Sequence, residues 1–204
     1  MSVSMNISAP SHTSTASSNL IDPDAVQTTS TPSIGRFISF EGTEGVGKTT
    51  AIDQLCLRLE NSGVEYLRTR EPGGSPFAER LRDMLLDPAT EIEDDTELLL
   101  LFAARCDHIQ RVIMPALQQG IWVICDRFTD STIAYQGFGR AHGDKVMLTK
   151  IETLIAQFVT QLPELTLWLD LPVAEGMARA NKRSTADRFE QQAMTFFTWV
   201  HNGF

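Results

Sequence analysis

The chain of 204 residues, 42% of them hydrophobic, is long enough to bury one substantial core and lies within the usual range of a single domain. Its formal net charge of −9 sets it as a whole against nucleic acid and anionic membrane surfaces, so the expected partners are small molecules. An anionic ligand must then be held by a few basic side chains placed locally against that field.

Residues 1–34 are dominated by Ser, Thr, Ala, Asn and Pro, with no Lys or Arg and no apolar run long enough for a signal peptide or a membrane span. They read as a disordered extension, with Met5 as an internal candidate start. From Arg36 the texture changes. Phe37-Ile38-Ser39-Phe40 is β-prone and is followed by glycines and a helical pattern with Ile52, Leu55 and Leu59 on one face. A second strand is expected over residues 64–69, a turn at Pro72-Gly73-Gly74, and a helix with Phe77, Leu81, Met84 and Leu85 at its periodic positions. Thr96 can cap a long helix through Leu99, Phe102, Ala103, Cys106 and Ile109 toward Leu117, kinked at Pro115 and ended by Gly120. The run Ile121-Trp122-Val123-Ile124-Cys125-Asp126 closes on a carboxylate, as does a strand buried on both faces of a parallel sheet, and Leu165-Thr166-Leu167-Trp168-Leu169-Asp170 repeats that form. Alternating strands and helices predict an α/β fold with a central parallel sheet. Cys56, Cys106 and Cys125 lack metal-ligand spacing and read as buried reduced thiols, which points to the cytoplasm.

The segment Gly42-Thr43-Glu44-Gly45-Val46-Gly47-Lys48-Thr49 matches the G-x-x-x-x-G-K-[ST] pattern between a predicted strand and a predicted helix. Glycines let successive backbone N–H groups turn inward, the helix N-terminus adds positive potential, Lys48 reaches the β and γ phosphates, and the Thr49 hydroxyl can ligate Mg²⁺. ATP contacts are therefore expected from residues 42–49 and Thr50. Asp126 at the end of a strand can supply a second metal-organising carboxylate, or else cap the next helix, and Arg127 follows it over the phosphate site.

Phe40-Glu41-Gly42, Thr69-Arg70-Glu71-Pro72-Gly73-Gly74, Phe102-Ala103-Ala104-Arg105, Asp126-Arg127-Phe128 running on to Tyr135-Gln136-Gly137, and Asp187-Arg188-Phe189-Glu190 together resemble bacterial thymidylate kinase in order and spacing, over residues 37–204. The resemblance implies a three-layer P-loop nucleoside monophosphate kinase fold. It also implies transfer from ATP, with Mg²⁺, to dTMP in dTTP biosynthesis, and a homodimer. Carried over by position, Arg105 hydrogen-bonds the thymine ring and Phe102 stacks on it or packs in the core, with Leu101 at the position where relatives often place the aromatic. Ser131, Thr132 and Gln136 lie near the base, Tyr135 crowds the sugar 2′ position, and Arg70, Glu71, Pro72 and Gly73 frame the monophosphate. Glu44 helps hold magnesium or the acceptor phosphate, with Thr49 and Asp126 as the other metal ligands, while Glu41 is structural. The basic stretch Arg179, Lys182, Arg183 and Arg188 resembles the lid, with Arg183 catalytic alongside Lys48 and Arg127, and Arg179 supporting it at ATP.

In the family a further strand, an adenine-contacting loop and a terminal helix follow the lid. The domain at 35–204 is expected to lack that strand and helix, leaving open a folded but inactive nucleotide-binding remnant. A regulatory GTPase is disfavoured, because Asp170 is followed by Leu171-Pro172-Val173 with no Asn-Lys-x-Asp signature.

Overall fold

The computed structural model describes residues 35–180 and 187–204, all within one compact unit. The extension 1–34 and the lid residues Lys182 and Arg183 lie outside the described residues.

Among the described residues the sheet has four parallel strands in the order β2-β3-β1-β4. They are β1 (Phe37–Glu41), β2 (Tyr66–Arg70), β3 (Trp122–Asp126) and β4 (Leu165–Trp168). Phe40 is in register with Asp126, and Asp126 with Arg70, so β1, β2 and β3 end side by side. Alternation along β1 divides the core into two layers. Phe37, with Val123, Cys125 and Phe128, packs on Ile109, Ile113 and Leu117. Ile38 and Phe40, with Ile124, pack on Ile52, Cys56 and Leu59 of α1 (Lys48–Asn61) on the other face. Helices thus cover both faces of a parallel sheet.

Helix α2 (Pro76–Leu86) is capped by Ser75, whose hydroxyl accepts from Ala78 N–H. It buries Ala78, Leu81 and Leu85 but leaves Phe77 and Met84 exposed, so the expected apolar face is rotated. Helix α3 (Asp94–His108) begins two residues before Thr96, which is exposed and caps nothing; Asp94, Asp95 and Glu97 instead set negative charge in its first turn. Before Pro115 the chain passes through a π-helical turn at Ile109–Ile113 into α4 (Met114–Gln118), so the irregularity that proline imposes is a wider turn upstream. Gly120, at φ +79, follows its end.

After β3 come a short α5 (Thr129–Thr132), a π-helical segment at Ile133–Arg140, and α6 (Lys145–Phe158). Helices α7 (Val173–Ala180) and α8 (Met194–Gly203) flank the lid residues. Two expectations fail on burial. Among the described residues β4 pairs with β1 alone and leaves Leu165 and Trp168 half exposed, so there it is an edge strand rather than one buried on both faces. Cys106 is only partly buried, whereas Cys56 and Cys125 are buried, and all three are free thiols.

Candidate active site

The loops leaving β1, β2 and β3 meet at the C-terminal edge of the sheet, where α/β folds bind ligands. Between them lies a cavity of about 240 Å³, lined by Glu44, Gly45, Gly47, Lys48 and Thr49, by Arg70, Glu71 and Pro72, and by Asp126, Arg127 and Phe128. Its far wall is Leu101 and Arg105 of α3 with Ser131, Thr132, Tyr135 and Gln136. Lys48, Arg70, Arg82, Arg105 and Arg127 all face this space, which concentrates positive charge in an acidic chain.

The phosphate loop is tightly seated. Gly45 has φ +73, and a Cβ there would stand 1.9 Å from the Gly176 carbonyl oxygen of α7. Lys48 folds back on its own loop, donating from Nζ to the Gly42 and Thr43 carbonyls at 2.8 and 3.0 Å. Burial, with Arg127 next in size, pulls its pKa down from 10.5 to about 7. Gly42, Thr43, Val46 and Thr50 do not line the cavity; the first two serve as acceptors for Lys48.

Arg127, at φ +72, reaches back over the loop. Its guanidinium donates to Gly42 O at 2.9 Å, Ser131 Oγ at 3.1 Å and Glu44 Oε1 at 3.0 Å, and lies 4.9 Å over the Tyr135 ring. Burial alone would lower its pKa, but Tyr135, Glu44, Asp126 and Glu41 outweigh that and raise it. The Tyr135 hydroxyl donates to the same Glu44 oxygen at 2.5 Å, and burial keeps that phenol protonated. Glu44 Oε2 and Asp126 Oδ1 are buried without a hydrogen-bond partner. Glu41 holds the turn after β3, accepting from Phe128 N–H at 2.7 Å and Ser131 Oγ at 2.5 Å.

On the acceptor side, Arg105 is buried and pinned. Its Nε donates to Glu71 Oε2 at 2.6 Å, and its Nη2 to Phe128 O at 3.1 Å and Thr132 Oγ1 at 2.9 Å, while Nη1 has no partner. Glu71 is thereby committed to holding Arg105. Phe102 turns away into a core with Leu98, Met147 and Ile151, although Arg105 lies 5.0 Å over its ring; Leu101 is the α3 residue that faces the cavity. Gln136 donates from Nε2 to the buried Glu97 at 2.8 Å. Arg70 pairs with Glu79 at 2.9 Å near the surface, and Gly73 packs beside Glu79 without lining the cavity.

The lid residues separate. Arg179 pairs with Glu175 on the exposed side of α7 and does not line the cavity. Arg188 is bound to Glu97 and to Leu85 O, so it is a structural tie rather than a free lid charge. Arg82, Leu86, Asp187, Phe189 and Glu190 also line the cavity. Arg82 donates to Pro72 O at 2.7 Å, and burial lowers its pKa. It lies on α2 outside any motif; only its place three residues before the buried Leu85 hinted that it turns inward.

The thymidylate kinase family model matches residues 40–204. A thymidylate kinase of Psychrobacter sp. (strain PRwf-1) is 70% identical over 172 residues, covering 84% of this chain and 83% of the relative. Thymidylate kinases of Pseudomonas fluorescens and Acinetobacter baumannii are 52% and 49% identical, covering 83% and 82% of this chain and 80% and 83% of theirs. The crystal structure of thymidylate kinase from Ehrlichia chaffeensis matches with a TM-score of 0.65 at 34% identity, covering 83% of this chain and 82% of that one.

Proposed function

This chain belongs to the thymidylate kinase family, and from that premise we propose how its residues carry the reaction, the transfer of a phosphoryl group from ATP to dTMP, giving dTDP for dTTP synthesis. The observation that carries the reading is one cavity lined both by the phosphate loop and by Arg105, whose Nη1 is buried without a hydrogen-bond partner. It offers cations for phosphate at one end and a buried donor for a base at the other.

The acceptor phosphate is already anionic, so no general base is required; alignment and charge neutralisation supply the catalysis. Lys48 exchanges the Gly42 and Thr43 carbonyls for the donor's β and γ phosphates. Arg127 bridges donor and acceptor phosphates, and Arg70 and Pro72 frame the monophosphate together with Arg82. Arg105 Nη1 donates to the thymine ring, with Leu101 against its face, and Ser131, Thr132, Tyr135 and Gln136 close the nucleoside side. Arg183, supported by Arg179, closes over the transferring phosphate.

Mg²⁺ suits the donor set. Asp126 Oδ1 and Glu44 Oε2 are hard oxygens buried without partners, and Thr49 lines the same cavity. Magnesium usually binds through one or two carboxylates together with substrate phosphates, a role Glu44 and Asp126 can fill. When bound, the ion neutralises phosphate-oxygen charge.

Exposed Phe77, Met84, Leu99 and Val146 support a homodimer, and the three free thiols support a reducing, cytoplasmic setting. No helix among the described residues is long and apolar enough to cross a membrane. Coupled ADP release with the thymidine, uridine, cytidine and guanosine monophosphates as separate acceptors tests the reading. Stimulation by dTMP above the others is expected. No stimulation by any of them, or a preference for another base, overturns it.

A further inference from the structure

Behind the pocket wall runs a buried polar chain that phosphoryl transfer does not use. Glu71 gives one carboxylate oxygen to Arg105 Nε at 2.6 Å and the other to His108 Nδ1 at 3.0 Å, and His108 Nε2 meets Thr69 Oγ1 at 2.7 Å. His108 is fully buried, and Glu71 and Arg105 nearly so. A carboxylate only accepts, so Nδ1 carries a proton and donates, leaving Nε2 to pair with the Thr69 hydroxyl. The turn after β2 is shaped around this ring. A Cβ on Gly74, whose φ is +86, would stand 2.2 Å from His108 Nε2 and 2.6 Å from Thr69 Oγ1. The second glycine of the Arg-Glu-Pro-Gly-Gly segment therefore makes room for an imidazole on another element.

We propose that His108 is a positioning residue for recognition of the acceptor base: by occupying Glu71 Oε1 it restricts Glu71 to a single contact with Arg105, which keeps Arg105 Nη1 available to the base. A carboxylate released from His108 would take the guanidinium side-on through Nε and Nη2, the favoured bidentate geometry. That would draw Nη2 off Phe128 O and Thr132 Oγ1 and turn the guanidinium, moving Nη1 from its present place in the pocket wall. The inference rests on the reading that Arg105 contacts the thymine ring.

The test is steady-state kinetics in both substrates on the full chain carrying His108→Asn, His108→Gln or Arg105→Gln, with a thermal melt of each. Asn sets an amide nitrogen close to the Nδ1 position and keeps the donor to Glu71; Gln reaches instead toward Thr69 and loses it. His108→Gln raises the KM for dTMP by about tenfold or more, the worth of one charge-assisted hydrogen bond, with the KM for ATP unchanged. His108→Asn keeps both KM values near those of the parent. Equal dTMP KM values in the two variants, or KM values for ATP and dTMP rising together, overturn the inference. Because each readout is a KM within one variant, a reduced active fraction does not disturb it. An Arg105→Gln variant with unchanged dTMP KM removes the underlying reading of Arg105. A raised KM there beside an unaffected His108→Gln removes only the role of His108.

Discussion

Replacing Glu41 by Gln should change how stability depends on pH more than it changes stability itself. Glu41 is buried at the end of β1, and burial, against the opposing pull of Ser131 and Arg127, lifts its pKa from 4.5 to about 7. The folded protein therefore holds this proton more tightly than the unfolded chain does. Its stabilising contribution is fully present below pH 4.5 and is lost as pH rises through about 7. Each pH unit between those values is worth about 1.4 kcal/mol, so the group carries about 3 kcal/mol in all. Glu41→Gln keeps the shape and the capacity to hydrogen-bond Phe128 and Ser131 but does not titrate. The stability of the parent relative to this variant should fall by roughly 2–3 kcal/mol between about pH 5 and about pH 8. Other titrating groups are common to both proteins and cancel. Urea unfolding of the pair across that range reads the difference directly, and in melting temperature it amounts to roughly 4–12 °C for a domain of this size. A gap that stays constant with pH would refute the argument that Glu41 is protonated by burial.

The depressed pKa of Lys48, about 7, implies that nucleotide phosphates recharge it on binding. Calorimetry near pH 8 in buffers of differing ionisation enthalpy should register uptake approaching one proton per site, and heats independent of buffer would contradict this. Arg127→Ala should lower turnover by ~10³ or more while nucleotide affinity changes far less; the same comparison applies to Arg183→Ala. A loss of affinity with turnover retained would take either residue off the catalytic list. Gly45→Ala drives a methyl group into the Gly176 carbonyl, at a backbone angle that L residues rarely adopt, and should abolish binding of a fluorescent ATP analogue. Retained binding would show that the loop can part from α7 at little cost.

The sequence makes β3 and β4 look alike, because both are apolar runs ending in Asp. Burial depends on neighbours that no local pattern names: β3 lies between β1 and β2, whereas among the described residues β4 pairs with β1 alone. Phe102 and Leu101 differ by one helical position, about 100° of rotation, and a window of apolar residues does not fix helix phase that finely. The phosphate loop was legible because its chemistry is local, each glycine and the lysine being required by the backbone around one phosphate. Arg82 was not, because its value comes from the fold bringing α2 to the cavity. Arg188 looked like a spare lid charge for the converse reason: the buried acid it binds, Glu97, lies on α3, far away in sequence.

An acidic protein can hold two anionic substrates because its carboxylates govern its cations one by one. Arg105 is held by Glu71, Arg127 by Glu44, and Arg140 and Arg188 by Glu97. Each pair is largely buried, so removing the acid would leave an uncompensated guanidinium at a cost of about 3–5 kcal/mol. None of these acids need touch a phosphate to matter. By claiming particular nitrogens they decide which donors remain, and at Arg105 the one that remains is Nη1. Glu97, Leu101, Arg105 and His108 recur three or four residues apart and share one face of α3. That single helix face therefore carries the acid that ties Gln136 and Arg188, the apolar contact at the cavity, the guanidinium we propose as the base donor, and the imidazole we propose keeps it aimed.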